Sequence, residues 1–287
     1  MRRVLIILAL LLLGFAAFVA VHLIIFSDKR LHIVFCDVGQ GDAILIRTPS
    51  GIVSLVDGGP DESVTECLSR HLPFWQRTVS LLLLSHPHTD HYVGMIGILD
   101  HYRVKRFATE KLNNETVLFR ALLERVKTTG LTTQHLYAGD RFRFSDGVTI
   151  EVLGPSREYL ALTSPGGQIG ERSEFASLIL LVTYGDFSAL LTGDSQASGI
   201  EEAIGNLDRS SISVLHVPHH GSKTGLNEAI LDRLWPKLAV ISVGKNSYGH
   251  PNQQIVDLLR AKGIEQKETI KNGDIEIVSD GSRWFLQ

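Results

Sequence analysis

The sequence predicts an α/β protein in which two β-sheets pack face to face with helices outside, preceded by one N-terminal transmembrane helix. The chain has 287 residues, which is long enough to bury a full core. It divides into an apolar segment over residues 1–30 and a remainder, 31–287, with no linker or low-complexity stretch. Two successive halves of that remainder each give strands followed by strand-helix units, which favours two layered sheets in one domain.

The N-terminal segment has the composition of a membrane anchor. No charged residue lies between Val4 and Phe26, and about 20 apolar residues suffice to cross a bilayer. Arg2 and Arg3 precede the run, which places the N-terminus in the cytoplasm and the rest on the periplasmic or extracellular side. A cleaved signal peptide is the alternative, but its apolar core is usually shorter and no clear cleavage site follows. We therefore expect an uncleaved, single-pass anchor.

Charge and cysteine content argue against a nucleic-acid-coating protein and against a cysteine-based metal site. The formal net charge is −3, so no broad basic surface for coating nucleic acid is indicated. A nuclease with a local metal site is still compatible with this charge. The two cysteines, Cys36 and Cys67, form no metal-binding motif, and each is expected as a small buried apolar residue. The sequence does not settle whether a disulfide joins them.

The first half begins with three short antiparallel strands, rich in β-branched residues and separated by glycine-containing turns. Strand and helix patterns then alternate. The predicted elements are strands 31–37, 43–47 and 52–56, helix 61–71, strand 79–84, helix 93–99, strand 104–108, helix 114–128, and strands 142–144 and 148–153. Residues 154–173 are rich in glycine and proline and are expected to form a long loop, of the kind that usually serves as a lid or binding loop.

The second half repeats the order of strands followed by helices. A hairpin is predicted through Gly185 and Asp186. The predicted elements are strands 177–184 and 187–191, helix 197–205, strand 212–217, helix 226–234, strand 238–242, helix 252–262, and closing strands near 274–278 and 283–286.

The apolar run 79–84 is typical of a strand buried on both faces, and a dense group of polar residues follows it. His86, His88, Asp90 and His91 form a His-x-His-x-Asp-His pattern directly after this strand. Imidazole nitrogens and carboxylate oxygens are ligands of Zn²⁺ and Mn²⁺. The pattern is too dense for an ordinary polar loop, so it predicts a metal-binding loop that could serve two neighbouring ions.

Ligand-type residues also follow three other predicted strands. Asp194 comes after Thr-Gly, His219 and His220 follow a second strand, and His250 follows a third. Open α/β sheets place their chemistry at the carboxyl ends of strands, so these residues are expected to converge. An aspartate between two metal ions can bridge them, and Asp194 is the candidate for that role.

Five ordered motifs give the chain a specific resemblance. The His-x-His-x-Asp-His loop resembles the signature of the metallo-β-lactamase superfamily. The motifs over 38–46, 191–194, 217–222 and 246–251 resemble, in that order, the C-terminal extracellular domain of ComEC-family DNA-uptake proteins. The likeness covers 31–287, and the long multi-span channel region of that family has only one apolar segment as a counterpart here. We therefore expect the detached hydrolase domain rather than the transporter.

The resemblance implies an αββα four-layer sandwich, the metallo-β-lactamase fold, with two divalent ions, Zn²⁺ or Mn²⁺, in the cleft between the sheets. By position, the first ion would be held by two histidines, the second by an aspartate and two histidines, and an aspartate would lie between them. These ligands are His86 and His88 for the first ion; Asp90, His91 and either His219 or His220 for the second; and Asp194 between, with Asp90, His91 and Asp194 as the catalytic residues.

One departure from the superfamily concerns the first ion. A further histidine often precedes the strand before the Gly-Asp motif, and residues 171–177 contain none. The resemblance therefore leaves three alternatives for the first ion, which is weakly held, completed by water or completed by Glu174.

The resemblance also makes the Gly-Gln-Gly-Asp turn a site-lining loop, where an ordinary hairpin would otherwise be expected. The candidate substrate-binding residues are Gln40, Asp42, Ser222, Lys223, Lys245 and His250. For the two lysines and the serine, a solvated side chain is an equally good interpretation. The histidines outside the motifs, His22, His32, His71, His101, His135 and His216, are expected to be surface or core residues.

The function implied is a membrane-anchored, metal-dependent phosphodiesterase or nuclease that acts on DNA, with single strands preferred, in connection with DNA uptake. A water activated between the two ions would attack phosphorus in line. A separate DNA-channel protein is a potential partner. The alternatives are a hydrolase of another ester or amide, such as a lactone or β-lactam, and a non-catalytic DNA-handling domain with a decayed metal site.

Overall fold

The computed structural model of the protein describes residues 2–170, 176–205, 207 and 212–287. Its strands form an eight-stranded sheet, a seven-stranded sheet and a further two-stranded pair beside the first sheet. Both large sheets are mixed, with antiparallel and parallel neighbours.

The elements of the first half, in chain order, are α1 (Arg2–Phe26), β1 (Leu31–Phe35), β2 (Ile44–Arg47), β3 (Val53–Val56), α2 (Ser63–His71), β4 (Thr78–Val79), β5 (Leu81–Leu84), α3 (Thr89–His101), β6 (Arg103–Val104), β7 (Phe107–Thr109), α4 (Val117–Thr128), β8 (Thr133–His135), β9 (Arg141–Arg143) and β10 (Thr149–Gly154). Those of the second half are α5 (Arg157–Thr163), β11 (Ile179–Tyr184), β12 (Phe187–Leu191), α6 (Ala197–Ile204), β13 (Val214–His216), a 3₁₀ turn (Pro218–Gly221), α7 (Glu228–Leu234), β14 (Leu238–Ile241), α8 (Gln253–Ala261), β15 (Glu265–Glu268), α9 (Thr269–Asn272), β16 (Ile275–Ser279) and β17 (Trp284–Leu286).

The eight-stranded sheet has the strand order β17-β16-β1-β2-β3-β5-β7-β8, and the seven-stranded sheet has the order β15-β14-β13-β12-β11-β10-β9. Strands β4 and β6 form the separate pair.

Most of the buried apolar residues form three layers, and these define the sandwich. The central layer lies between the sheets and joins residues such as Leu81 and Leu83 of the first sheet to Leu180 and Val240 of the second. A second layer packs the outer face of the first sheet against α2, α3 and α4. A third packs the outer face of the second sheet against α6, α7 and α8. The predicted αββα sandwich is therefore confirmed. The central strands read as unbroken apolar runs because both of their faces are covered.

The structure corrects several predicted boundaries. Helix α3 begins at Thr89 rather than at residue 93, so Asp90 and His91 lie in its first turn. The segment 154–173 was predicted as a loop, but α5 occupies 157–163 of it, begun by the N-cap Ser156, and residues 171–173 lie outside the described part. The strand predicted over 104–108 is two strands, β6 and β7. Strands β8 and β15 were not predicted, because Thr133–His135 and Glu265–Glu268 lie at sheet edges and lack an apolar run.

Cys36 and Cys67 are both buried, as expected, and they are joined by a disulfide. The bond ties the end of β1 to helix α2. The sequence had left this pairing open, because the distance between the two side chains depends on how α2 packs on the sheet.

Helix α1 is long and apolar enough over Arg2–Ile24 to cross a membrane, by length and composition. It ends at Phe26 and leads after four residues into β1. Strands β1, β3 and β5 all run in one direction, since β2 is antiparallel to both β1 and β3, and β5 is parallel to β3. These strands therefore start at the α1 end of the domain, and the residues that follow β3 and β5 lie at the opposite end.

Candidate metal centre

The histidine-rich loop is the junction between β5 and α3. His86 follows β5 after one serine, His88 is the N-cap residue of α3, and Asp90 lies in the first turn of that helix. A carboxylate in the first turn is favoured by the helix dipole, so the helical start of this motif is locally stable. The strand and the helix thus fix His86 and His91 from two rigid elements.

Two glycines allow close backbone contacts near the metal loop. Gly41 brings the Gly-Gln-Gly-Asp turn against Asp90, and Gly94 brings α3 against the segment after β3. A Cβ on Gly41, whose φ is +145°, would lie 2.3 Å from the carbonyl oxygen of Asp90. A Cβ on Gly94 would lie 2.0 Å from the carbonyl oxygen of Gly58. The amide of Asp42 donates a hydrogen bond to the carbonyl of Asp90 at 3.2 Å, so the Gly-Gln-Gly-Asp turn is bonded directly to the metal loop.

A first group of ligand-type side chains consists of His86, His88 and Asp194, whose ligand atoms all lie within 4.8 Å of one another. His86 Nε2 is 3.0 Å from His88 Nδ1 and 3.7 Å from Asp194 Oδ2. This group is able to bind a metal ion.

A second group consists of Asp90, His91, Asp194 and His220, and it meets the same 4.8 Å limit. Asp194 Oδ1 lies 3.3 Å from His91 Nε2 and 3.5 Å from His220 Nε2. Asp90 Oδ2 lies 3.3 Å from His220 Nε2. Asp194 therefore belongs to both groups, with a different oxygen towards the histidines of each.

His219 and His220 are neighbours in the chain but face different atoms of Asp194. Both have positive φ, 51° and 54°, in the turn Pro218–Gly221. His219 Nε2 is 3.7 Å from Asp194 Oδ2, the oxygen that also faces His86. His220 Nε2 faces Oδ1, together with His91. The left-handed backbone is what lets two adjacent imidazoles reach the same carboxylate.

The outer shell of the centre contains residues that the sequence reasoning did not assign to the site. Asp57 Oδ2 lies 3.0 Å from His91 Nδ1, and its other oxygen accepts a hydrogen bond from the Ser85 amide at 2.7 Å. Such a carboxylate fixes the orientation of a ligating histidine. The position of Asp57 directly after β3 was a usable signal, because the other site residues also follow strand ends.

His216 is a core histidine, as expected, but it also belongs to this outer shell. It is fully buried, with Nε2 at 3.1 Å from Ser242 Oγ and 3.3 Å from Asp42 Oδ1. Asp42 Oδ1 is also 3.5 Å from His220 Nδ1, which pairs with the Ser242 carbonyl at 2.9 Å. Asp42 is buried beneath the ligands and does not line the cavity, although the resemblance had suggested a substrate contact.

The pKa values of Asp194, Asp90 and His86 favour the forms of these side chains that bind a metal ion. Burial raises the pKa of Asp194, but His220 and His91 outweigh it, so the pKa lies well below its usual value. For Asp90, burial is likewise outweighed by His91 and His220, and its pKa is about 2. Burial and the neighbouring His91 lower the pKa of His86 well below its usual value. Ionised carboxylates and a neutral imidazole are the forms that bind a divalent ion.

The remaining two histidines show that the carboxylates attract positive charge. Burial lowers the pKa of His91 and of His220, yet Asp194 above all raises both well above their usual values. Within the described residues, His91 Nε2, His220 Nε2 and Asp194 Oδ1 are buried without a hydrogen-bond partner. Buried polar atoms are rarely left in this state, so the residues present fit a bound cation.

A cavity of about 230 Å³ opens onto the two groups. It is lined by Gln40, His88, Asp90, Asp194, His219, His220, Tyr248 and His250. Of the residues predicted to bind substrate, Gln40 and His250 line this cavity, whereas Ser222, Lys223 and Lys245 do not. Tyr248, which lies within the 246–251 motif, also lines the cavity, and its side chain is exposed at the rim. Glu174, suggested for the first ion, lies outside the described residues.

The comparison with known protein families agrees with this geometry. A family model described as the metallo-β-lactamase superfamily matches residues 36–245. The chain belongs to the metallo-β-lactamase superfamily. The match spans the loop of His86 to His91, Asp194 and the histidine pair.

Within the superfamily, relatives by sequence include competence proteins. The chain is 29% identical over 258 residues to ComE operon protein 3 of Bacillus subtilis, covering 84% of this chain and 32% of that protein. It is 27% identical over 253 residues to Competence protein ComA of Neisseria gonorrhoeae, covering 87% of this chain and 32% of the relative. The predicted kinship with competence proteins is confirmed. The chain spans about a third of the length of these relatives.

Solved structures show the same fold. The metallo-β-lactamase fold protein YhfI from Bacillus subtilis aligns with a TM-score of 0.56 at 13% identity, covering 86% of this chain and 99% of that one. The diiron β-hydroxylase CmlA from Streptomyces venezuelae also aligns with a TM-score of 0.56, at 16% identity, covering 88% of this chain and 54% of that one. At such identities the likeness concerns the fold alone.

Proposed function

We propose that this protein is a membrane-anchored, metal-dependent phosphodiesterase that cuts DNA strands in connection with DNA uptake. The observation that carries the proposal is the pair of ligand groups sharing Asp194. A carboxylate that offers one oxygen to each group is suited to bridge two divalent ions, and paired ions serve many phosphodiesterases. The competence proteins among its relatives support DNA as the substrate.

For the first ion we assign His86, His88 and Asp194, with His219 as the fourth ligand in place of the histidine missing from 171–177. The support is that His219 Nε2 faces the same oxygen of Asp194 as His86 does, at 3.7 Å. For the second ion we assign Asp90, His91, Asp194 and His220, with Asp57 and Asp42 orienting the histidines. Donor chemistry of nitrogen and oxygen suits Zn²⁺ or Mn²⁺.

Two ions held by these residues would lower the pKa of a bound water and would offset the charge that develops on an attacked phosphoryl group. The chain itself supplies orientation. Gln40 and His250 line the cavity from two different turns, where both can contact a phosphodiester. The exposed ring of Tyr248 at the rim is placed to stack on a base of a single strand.

The anchor supports a location at the membrane surface. Arg2 and Arg3 before α1 favour a cytoplasmic N-terminus, which places the hydrolase domain on the periplasmic or extracellular side. A separate channel protein is the proposed partner that would supply a passage for DNA.

The test uses the full chain in detergent with labelled linear single-stranded DNA, with and without added Mn²⁺ or Zn²⁺. Asp90→Ala removes a ligand, and Asp100→Ala is the matched control, an exposed aspartate on the same helix. We expect metal-dependent cutting in the parent chain and in Asp100→Ala, and none in Asp90→Ala. Two bound metals without cutting would shift the assignment to another ester or amide substrate. Neither metal nor cutting would identify a decayed site.

A further inference from the structure

The end of the domain where α1 enters carries exposed aromatic rings. Phe74 and Trp75, in the turn between α2 and β4, are 43% and 40% exposed. Their rings nevertheless contact the anchor, with centroids 5.4 Å apart for Phe18 and Phe74 and 5.9 Å apart for His22 and Trp75. Exposed aromatic residues beside a membrane-spanning helix are in a position to contact lipid.

The depth of these contacts agrees with the membrane interface. Phe18 lies eight residues before the end of α1 at Phe26, which is about 12 Å along the helix axis. The hydrocarbon core is about 30 Å thick and bordered by a headgroup region in which tryptophan is enriched. His22, which contacts Trp75, lies four residues before Phe26, about 6 Å along the helix axis. The anchor therefore places Trp75 near the boundary between the hydrocarbon and the headgroups, with Phe74 deeper on the hydrocarbon side.

A hydrogen bond and a cation–π contact join the domain to the end of α1. Arg47 donates a hydrogen bond at 3.0 Å to the carbonyl of Phe26, the last residue of α1, and its guanidinium lies 5.7 Å from the Phe26 ring. This contact satisfies one of the carbonyls that a helix end leaves without an intrahelical partner. It holds the helix end against the domain, so the loop with Phe74 and Trp75 stays beside the anchor.

A strip of exposed cations continues from this loop. We call Arg77, Arg103, Lys105 and Arg106 the basic strip. It is held together by backbone bonds, from the Arg103 amide to the Arg77 carbonyl at 2.8 Å and from the Lys105 amide to the Val79 carbonyl at 3.0 Å. Within the described chain, Arg103 and Lys105 form no ion pair. Such a strip is complementary to anionic headgroups.

The positions of the tryptophans also favour a membrane contact at this end of the domain. Trp284 starts β17 and pairs with Ser279, which in turn pairs with Leu31 at the start of β1. Trp235 is exposed and precedes β14, whose other end leads to Ser242 in the metal centre. All three tryptophans of the chain therefore lie at the end of the sheets that receives α1.

We propose that the Phe74–Trp75 loop and the basic strip form a second membrane contact, which docks the domain onto the anionic surface of the bilayer that holds α1. The proposal rests on the proposed anchor and is independent of the hydrolase activity. Docking holds the metal centre at the far end of the strands, separated from the bilayer by at least the length of β1, about 17 Å for five residues. The cavity then faces solvent rather than lipid.

The test reconstitutes the full chain in phosphatidylcholine vesicles that contain one third phosphatidylglycerol, with a fraction of the acyl chains brominated near the headgroup. The emission of Trp75 is obtained as the difference between the parent chain and Trp75→Phe. Flotation of the vesicles reports separately whether the chain is membrane-bound. We expect the difference emission to be quenched about twofold or more, because an interfacial indole lies within contact range of shallow bromines.

The charge contribution is tested with Arg103→Glu combined with Lys105→Glu. The matched control is Arg120→Glu combined with Lys127→Glu, two exposed cations on α4. We expect the first pair to shift the docking equilibrium, read from the quenched fraction, by about fivefold for each cation removed, and the control to leave it unchanged. Vesicles of phosphatidylcholine alone should reproduce the effect of the first pair.

The outcomes are distinguishable. A chain that floats with the vesicles while Trp75 escapes quenching would overturn the docking proposal and leave the anchor standing. A chain that does not float would overturn both. Equal loss of quenching in the two charge-reversed pairs would show attraction by net charge alone, against the basic strip.

Discussion

Two clusters of histidines and carboxylates in this molecule have similar composition and different chemistry. One is the metal centre around Asp194. The other, which we call the β16 network, consists of His32, His71, Asp274 and Glu276 and lies on and beside strand β16. Both contain ligand-type atoms of three residues within 4.8 Å, since Cys67, His71 and Asp274 also meet that limit.

The difference lies in how the polar atoms are partnered. In the β16 network, His32 contacts Glu276 at 2.7 Å and Asp28 at 2.8 Å through its two ring nitrogens. His71 contacts Asp274 at 2.9 Å and Glu276 at 3.3 Å. The sulfur of Cys67 is committed to the disulfide with Cys36.

The metal centre is the opposite case. Its carboxylates and imidazoles face one another at 3.3–3.7 Å, and several of the atoms have no hydrogen-bond partner. The comparison teaches that residue type and proximity alone do not distinguish the two clusters. What distinguishes them is that the facing ligand atoms of the metal centre are buried and lack hydrogen-bond partners, which a bound cation would satisfy. In the β16 network, Asp274 and Glu276 are paired with histidines, and they raise the pKa of His71 to about 9.

The largest expected effect follows from removing the shared ligand. We expect Asp194→Asn to lower hydrolase activity by about 10³-fold or more, because bound metal contributes several kcal/mol of transition-state stabilisation. Metal content, measured by elemental analysis of the purified chain, should fall with it. Asp274→Asn is the matched change in the β16 network and should leave metal content unaltered. Equal metal loss in both variants would contradict the distinction between the clusters.

A smaller effect is expected from the residue that orients His91. Asp57→Ala removes the carboxylate 3.0 Å from His91 Nδ1 and should weaken metal affinity about 10–100-fold, the usual cost of losing such a partner. Titration with a competing chelator measures this change. Asp61→Ala, an exposed aspartate nearby in the chain, is the control. An affinity in Asp57→Ala equal to that of the control would remove Asp57 from the centre.

The sequence was sufficient to predict which histidines and aspartates come together, because they follow strand ends in recognisable motifs. His86, His88 and Asp90 belong to one dense pattern, and the buried strands before the other motifs are unbroken apolar runs. Since carboxyl ends of such strands meet at one edge, convergence of these side chains could be expected.

The outer shell could not be predicted in the same way. The contact of Asp57 with His91 depends on the parallel pairing of β3 with β5, and that of His216 with Asp42 joins the two sheets across the cleft. The start of α3 at Thr89 was also missed, because Asp90 and His91 interrupt the apolar spacing that marks the rest of the helix. These features are set by tertiary packing, which a local pattern does not contain.

The β16 network should respond to mutation in stability rather than in metal binding. His71→Gln removes charge-assisted contacts with Asp274 and Glu276 and should lower the free energy of unfolding by about 1–3 kcal/mol. Urea unfolding of the chelator-treated chain in detergent measures this change. Metal content should equal that of the parent chain. Loss of metal without loss of stability would mean that His71 acts as a ligand and that the two clusters have been wrongly separated.

The smallest expected effect is the pH dependence of that same contribution. Burial lowers the pKa of His71, but Asp274 and Glu276 outweigh it and raise the pKa from 6.5 to about 9. Because the folded protein binds this proton more tightly than the unfolded chain, the stabilisation is complete below pH 6.5 and is lost as the pH rises through about 9. The difference in unfolding free energy between the parent chain and His71→Gln should therefore shrink over that interval. His101→Gln, an exposed histidine at the end of α3, should show little difference from the parent at any pH.

A difference for His71→Gln that stays constant across the interval would mean that a neutral imidazole stabilises the fold equally well. The network would then be held by hydrogen bonds alone, without a charge on His71.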